Sequence, residues 1–189
     1  MQRLSFSLAL FILLISGCST IDQEPETDYR DYPIVDWYPV NLIVTVQDKQ
    51  GNDLLDPARS GNYFEGTTIS FKGTTYDARL LEAGEYWAKA PTKAYFAKMK
   101  GLRLVHDQLY FSETEIRTCY FLVFGQIDGA ADMDEDLVIT WPNGKQDTFH
   151  YHCSDHKIEK QKDGSWDIDC QRYWKLNNKK ASNPFSLVK

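Results

Sequence analysis

The sequence predicts a mostly β protein: a single antiparallel β-sandwich or an open barrel, with little helix. Short runs of β-branched and aromatic residues recur at intervals of about ten residues. Clusters of Gly, Asn, Asp and Pro separate these runs, and hardly any segment repeats apolar residues at helical spacing. Aromatic residues make up 14% of the chain, which suits a core of packed strands.

The candidate strands can be read in order along the chain. They are 41–48, 67–72 with 74–76 pairing back after Gly73, 102–111, 118–124, 137–141, 147–152, 155–159 and 166–176. The run 118–124 is continuously apolar, so we expect a central strand buried on both faces. Only 86–99 suggests a helix, and Pro91 interrupts it. An Ig-like or transthyretin-like sandwich is the expected arrangement.

Two turn clusters predict hairpins near the C-terminal end. Pro142–Lys145 contains Asn-Gly, a pair that tolerates positive φ and lies between two strand-like runs. Lys162–Gly164 has the same character and separates the last two runs.

The N-terminus has the three regions of a bacterial export signal. Arg3 gives a short positive region, Leu8–Ile15 is an almost unbroken apolar run, and two small residues then precede Cys18. The apolar run is shorter than the roughly 20 residues that a spanning helix needs. Its end resembles the lipobox of bacterial lipoproteins, in which the cysteine is acylated after cleavage before it. We therefore expect residues 1–17 to be a signal peptide and Cys18 to carry lipid.

The following segment predicts how the anchored protein is organised. Residues 18–35 are acidic and polar, with too little apolar surface to fold alone, so we expect a flexible tether. Residues 36–189 then form one β-rich globular domain, a size that supports a hydrophobic core. Because two or more acyl chains hold a protein stably on a bilayer, the predicted location is the cell envelope, at the outer membrane, on its periplasmic or surface face.

The charge of the chain argues against nucleic acid as a partner. The formal net charge is −6, and Lys and Arg form no basic cluster of the kind that binds nucleic acid. A glycan, a peptide or another protein remains as the expected partner of the domain.

Three cysteines remain once Cys18 is assigned to lipid. They are Cys119, Cys153 and Cys170. Disulfides persist outside the cytoplasm, and three thiols allow one bridge in three pairings. Cys153 and Cys170 flank a predicted hairpin, which favours that pair, and three buried, reduced cysteines are the alternative.

An acidic segment offers carboxylates at alternate positions, the pattern of a calcium loop. The candidate ligands are Asp128, Asp132, Asp134 and Asp136. Leu137 occupies the position of the turn-making Gly, and Asn143 that of the bidentate Glu, which argues against an EF-hand. An irregular Ca²⁺ site and a solvated acidic loop before a strand are the two hypotheses.

A histidine cluster gives the alternative metal hypothesis. On a strand His150 and His152 point to the same face, so both imidazoles could bind one Zn²⁺, with His156 returning through a turn. Surface histidines on a hairpin are the simpler interpretation. A metal-dependent hydrolase that uses the histidine hairpin or the acidic loop is the second functional hypothesis.

No other catalytic group stands out. No serine lies in a G-x-S-x-G context, and Cys119 lies in a strand too apolar to favour a thiolate. Aromatic side chains could instead form a binding face, although most are expected in the core. The candidates are Trp37, Trp87, Trp166 and Trp174, with Tyr38 and Tyr173. The leading hypothesis is a non-catalytic binding or structural module.

Several segments are similar to those of one protein family. They are Asp36–Val40, Val46–Asp48, Gly51–Pro57, Phe121–Gly129 and Leu137–Gly144. These segments resemble small lipoproteins of Bacteroides-type bacteria, a family of unknown function. The resemblance implies an envelope lipoprotein with a β-rich domain and supplies no site residues. Pro142 departs from the more Gly-Asp-rich turn of that family, which argues against a metal site in this hairpin.

Overall fold

The computed structural model describes residues 40–82, 85, 101–127 and 132–189, and these residues form eleven strands and no helix. The strands are β1 (Val40–Gln47), β2 (Thr68–Phe71), β3 (Thr74–Asp77), β4 (Arg79–Leu80), β5 (Gly101–Tyr110), β6 (Ile116–Ile127), β7 (Met133–Thr140), β8 (Gln146–Lys160), β9 (Trp166–Leu176), β10 (Lys179–Ala181) and β11 (Phe185–Val188). The proposed signal peptide, Cys18 and the tether lie outside the described residues, as does the segment 86–99.

The strands form two sheets. One has the order β11-β1-β6-β5-β4 and the other the order β10-β9-β8-β7-β2-β3. Neighbours are antiparallel except for β1 with β11 and β4 with β5, which are parallel. Neither sheet closes on itself, so the predicted all-β fold is confirmed in the form of a sandwich.

Aromatic pairs join the two sheets across one apolar core. Phe124 of β6 packs edge-on against Phe71 of β2, with ring centroids 5.5 Å apart. Phe185 of β11 packs in the same way against Phe149 of β8, at 4.8 Å. Such pairs contribute about 0.5–1.5 kcal/mol beyond the area they bury. Further core residues, each at most 1% exposed, are Leu42, Val44, Ile69, Leu122 and Ile139.

Strand β6 is buried on both faces from Phe121 to Phe124, within the apolar run 118–124, whereas its first residues up to Thr118 are exposed. Leu122 and Phe124 face the core between the sheets. Phe121 and Val123 point the other way, into a second apolar cluster with Val105 of β5. A strand buried on both sides cannot show the polar alternation of an exposed strand, and this explains its sequence.

The Asn143-Gly144 hairpin forms where the sequence predicts it. The Gly144 N–H donates to the Trp141 carbonyl at 2.8 Å, and the Trp141 N–H donates to Lys145 at 2.9 Å. Gly144 has a φ of +77°, whereas Asn143 is not among the residues with positive φ. The loop is therefore a type I turn followed by a left-handed glycine, and not a turn with two positive φ angles. The loop at 162–164 repeats these hydrogen bonds.

Strand β8 joins two segments that the sequence predicts as separate strands, 147–152 and 155–159. Its pairing with β9 shifts register between Ser154 and Lys157, which is a β-bulge. Strand β7 pairs with β8 only as far as Cys153, so residues 154–171 continue beyond the sheet as a two-stranded ribbon, the β8–β9 arm.

Candidate functional site

The outer face of the six-stranded sheet carries a row of histidine and aspartate side chains. Asp134 and Asp136 of β7 lie directly opposite His152 and His150 of β8. Tyr173 of β9 lies opposite His152. The intervening residues of β8 are buried in the core, so the period of two places these five side chains on the outer face. We call them the His–Asp patch.

One carboxylate binds both imidazoles. Asp134 Oδ1 is 3.0 Å from His150 Nε2 and 3.1 Å from His152 Nδ1. His150 Nδ1 is 2.9 Å from Asp136 Oδ1, and His152 Nε2 is 3.0 Å from the Ser154 hydroxyl. The hydrogen bond from His152 is the main cause that lowers the pKa of Asp134.

The rings are ordered and the carboxylates are open to water. Tyr173 stacks on His152, with centroids 4.6 Å apart and planes at 14°. The imidazole side chains are 20% and 22% exposed, whereas Asp134 is 69% and Asp136 is 59% exposed. The patch therefore offers acceptor oxygens to solvent from positions that the imidazoles beneath hold in place.

The metal hypotheses gain no support from the described residues. Asp134 and Asp136 belong to strand β7 and not to a loop, and alternate residues of a strand are about 6.6 Å apart along it. Within 40–82, 85, 101–127 and 132–189, no group of three His, Cys, Asp or Glu is arranged to hold a metal ion. Asp128 lies outside the described residues, as does the side chain of His156. The calcium and zinc sites stay predictions.

The aromatic candidates separate into three groups. Trp174 is 8% exposed and packs on Tyr151 with centroids 4.6 Å apart, so it belongs to the core. Trp166 is half-buried on the β8–β9 arm, with the Lys160 ammonium 5.5 Å from its ring centroid. Trp37, Trp87 and Tyr38 lie outside the described residues.

All three cysteines are free thiols in the structure, two of them in the six-stranded sheet and one in the other sheet. Cys153 is buried on the inner face of β8, and Cys170 is half-buried on β9. Cys119 lies on β6 of the other sheet and packs against its second apolar cluster. Burial is the main cause that raises the pKa of Cys119 to about 11, with the charge of Asp53 adding to it. Cys119 is therefore a thiol at neutral pH, which agrees with the sequence argument against a nucleophile.

Sequence reasoning missed a second carboxylate cluster, which lies at the other end of the β7–β8 hairpin. Asp147 is 7% exposed and accepts hydrogen bonds from Trp141 Nε1 at 2.6 Å and Asn177 Nδ2 at 2.9 Å. It also pairs with the Lys189 ammonium. Burial is the largest effect and raises the pKa of Asp147, but the three donors outweigh it and leave the pKa below its usual value. This cluster holds the turn after β9 and the end of β11 against β8.

Comparison with known proteins gives no relative: no family model, no curated protein and no solved structure matches the chain. The part of the chain that the structure describes also contains no helix of the length and apolar character needed to span a bilayer.

Proposed function

We propose that this chain is a lipid-anchored protein of the cell envelope whose β-sandwich binds a glycan, without cleaving it, through the His–Asp patch. The observation that carries the proposal is the pair of exposed carboxylates, each hydrogen-bonded to an imidazole beneath it. The lipid anchor is argued from the lipobox-like residues that end in Cys18.

The chemistry of the patch suits a polyhydroxylated ligand. Sugar hydroxyls donate hydrogen bonds, and the carboxylates of Asp134 and Asp136 are charged acceptors, which make bonds about twice as strong as neutral ones. The imidazoles fix their positions, so little side-chain entropy is lost when a ligand binds. These features favour a sugar with adjacent hydroxyls that can reach both carboxylates.

The surroundings of the patch favour a glycan over a protein partner. The outer face around the patch carries mostly small polar residues: Thr140 and Thr148 on the patch's own strands and Thr68, Ser70 and Thr75 on the next two, with Val138 and the Lys175 ammonium also on this face. Protein interfaces are centred on buried aromatic or large apolar side chains, and among the described residues of this face Tyr173 is the one aromatic side chain of that kind. A polar surface with charged acceptors is instead suited to an extended chain of sugars.

Glycan binding is tested with the purified full chain on an array of bacterial and host glycans, followed by calorimetry on the best ligand. We expect the double variant Asp134→Ala/Asp136→Ala to lose roughly tenfold or more in affinity. Asp77→Ala is the matched control, since it removes an exposed carboxylate from the same face two strands away, and it should bind like the parent.

Three results would overturn the proposal. The first is an array on which no glycan binds, and the second is binding that the double variant leaves unchanged. Release of shortened sugars from the bound glycan would contradict the non-catalytic part. The anchor is tested separately by metabolic labelling with an alkyne fatty acid, which should label the parent and leave Cys18→Ala unlabelled.

A further inference from the structure

We propose that the β8–β9 arm is a second membrane contact of the anchored protein, with its apolar side and its tip lying on the headgroup layer of a phospholipid bilayer. This inference rests on the lipid anchor proposed at Cys18. It adds a protein surface that touches the same membrane directly.

The arm has one apolar side and one charged side. Its register places Ile158 opposite Ile168 and Lys160 opposite Trp166. The intervening pairs lie on the other side, because side chains alternate along each strand, and they are all charged and exposed. These pairs are Lys157 with Asp169 and Glu159 with Asp167. A strand pair with this pattern is suited to a boundary between water and an apolar phase.

The apolar side lies outside the core of the sandwich. Ile158 is 37% exposed, and neither it nor Trp166 belongs to the two apolar clusters that the described residues form. The Lys160 ammonium is 5.5 Å from the centroid of the Trp166 ring. A tryptophan, an aliphatic side chain and a lysine with a long apolar stem are the groups that favour the boundary between hydrocarbon and headgroups.

The arm projects from the end of the sandwich at which the chain enters. Asp147 of β8 pairs with Lys189, which follows β11, whereas Phe149 packs on Phe185, the first residue of β11. Strand β8 therefore runs opposite to β11, and β11 is parallel to β1. The part of β8 beyond Cys153, which forms the arm, thus lies at the end where β1 begins.

The predicted tether and the arm have similar lengths. The sequence predicts residues 18–35 as a flexible tether, and a relaxed chain from Cys18 to Val40 spans about 25 Å. The arm rises about 25 Å from Ser154 to Lys162, at about 3.3 Å per residue. Because both start at the same end of the sandwich, the tip reaches the bilayer without stretching the tether. The anchor also keeps the arm at a high effective concentration near the bilayer, so that a weak contact is populated.

The tip carries the charges that a phospholipid surface attracts. Lys160 and Lys162 are exposed, whereas the Asp163 carboxylate accepts hydrogen bonds from the N–H and the hydroxyl of Ser165 within the turn. The two ammonium groups can bind lipid phosphates while the apolar side lies deeper.

The contact fixes how the proposed glycan site is presented. His152 of the His–Asp patch lies on the same strand, two residues before the arm begins. The patch therefore stands about one arm length, roughly 25 Å, from the bilayer.

The test uses the full chain in its acylated form, reconstituted in vesicles of phosphatidylcholine and phosphatidylglycerol with plain or brominated acyl chains. The chain has five tryptophans, so the emission of Trp166 is taken as the difference between the parent and Trp166→Phe. Bromine quenches a tryptophan that reaches the acyl chains, and we expect the Trp166 emission to fall roughly twofold or more. A Trp166 emission that is equal in both kinds of vesicle overturns the proposal.

Two isoleucine variants test whether the apolar side makes the contact. Ile158→Asp should abolish the quenching of Trp166, because a carboxylate on the apolar side opposes its burial in lipid. Ile116→Asp is the matched control and should leave the quenching unchanged, since Ile116 is 50% exposed at the opposite end of the sandwich. Equal quenching in parent and Ile158→Asp, or its loss in Ile116→Asp, contradicts the assigned surface.

Vesicle flotation distinguishes failure of the arm from failure of the anchor. A chain that floats with the vesicles but shows no quenching of Trp166 keeps its anchor and loses the arm contact. A chain that does not float contradicts the anchor, and the arm proposal fails with it. If the Trp166 emission shifts to shorter wavelength only as the ratio of protein to lipid rises, a second copy of the chain covers the arm, and the membrane contact is wrong.

Discussion

Asp147 and Asp134 lie on the same β7–β8 hairpin and each binds side-chain donors, but they differ in their contact with water. Asp147 is 7% exposed and binds a tryptophan, an asparagine and a lysine. The Asp134 side chain is 69% exposed and binds two histidines. A buried charge left without its partners is costly, whereas an exposed one is solvated by water. We therefore expect Asp147 to contribute to stability, and the exposed Asp134 is the one available for the proposed recognition role.

The largest expected effect is the loss of the buried carboxylate. Asp147→Ala leaves the Lys189 ammonium and the Trp141 N–H without their acceptor, and it should lower the free energy of unfolding by about 3–5 kcal/mol. Urea denaturation measures this, with Asp77→Ala as the exposed control. A loss below about 1 kcal/mol would remove the distinction between the two carboxylates.

The depressed pKa of Asp147 predicts a dependence on acid. Because the unfolded group binds a proton near pH 3.9 and the folded group only at lower pH, its contribution is complete above that value. The contribution is lost as the pH falls through the folded pKa. Denaturation between pH 7 and pH 2.5 should show a steeper loss of stability in the parent than in Asp147→Asn. Parallel curves would show that Asp147 does not contribute to this loss.

A smaller effect is expected from one donor to Asp147. Asn177 has a φ of +48° and donates through Nδ2 to the carboxylate, while its Oδ1 accepts from the Thr148 N–H. Asn177→Gly keeps the turn possible and removes both bonds, at a cost of about 1–2 kcal/mol. Asn178→Gly makes the same substitution at the other turn residue, whose φ is +68°. It should lower the free energy of unfolding by less than Asn177→Gly. If both variants lost the same free energy in urea denaturation, the stability would come from the turn conformation and not from the hydrogen bonds of Asn177.

The smallest effect on stability is expected at the His–Asp patch. Asp134→Ala should leave the urea midpoint unchanged, because the carboxylate is exposed and water solvates the histidines that it leaves. Glycan affinity should fall in the same variant. A large loss of stability would show that the patch is structural, and would contradict its assignment to recognition.

Part of the patch follows from the sequence alone. Counting outwards from the Asn143-Gly144 turn pairs Asp136 with His150 and Asp134 with His152, as the structure has them. The alternation of side chains places the two histidines on one face, but the aspartates are predicted in a loop, because their charges interrupt the apolar pattern of a strand. Strand β7 contains them because its outer face is in water, where charged side chains cost little.

The sequence by itself determined the strands with strong local patterns and the two hairpins with glycine turns, because φ preferences and the alternation of side chains act over a few residues. It missed β4, β10 and β11, which are short and are stabilised by their neighbours. Only the tertiary structure decided that β11 pairs with β1, that Trp174 is buried, that Asp147 meets Lys189, and that Cys119 is separated from Cys153. Each of these features depends on how the two sheets pack together, which brings together or keeps apart residues far apart in the chain and which no local pattern encodes.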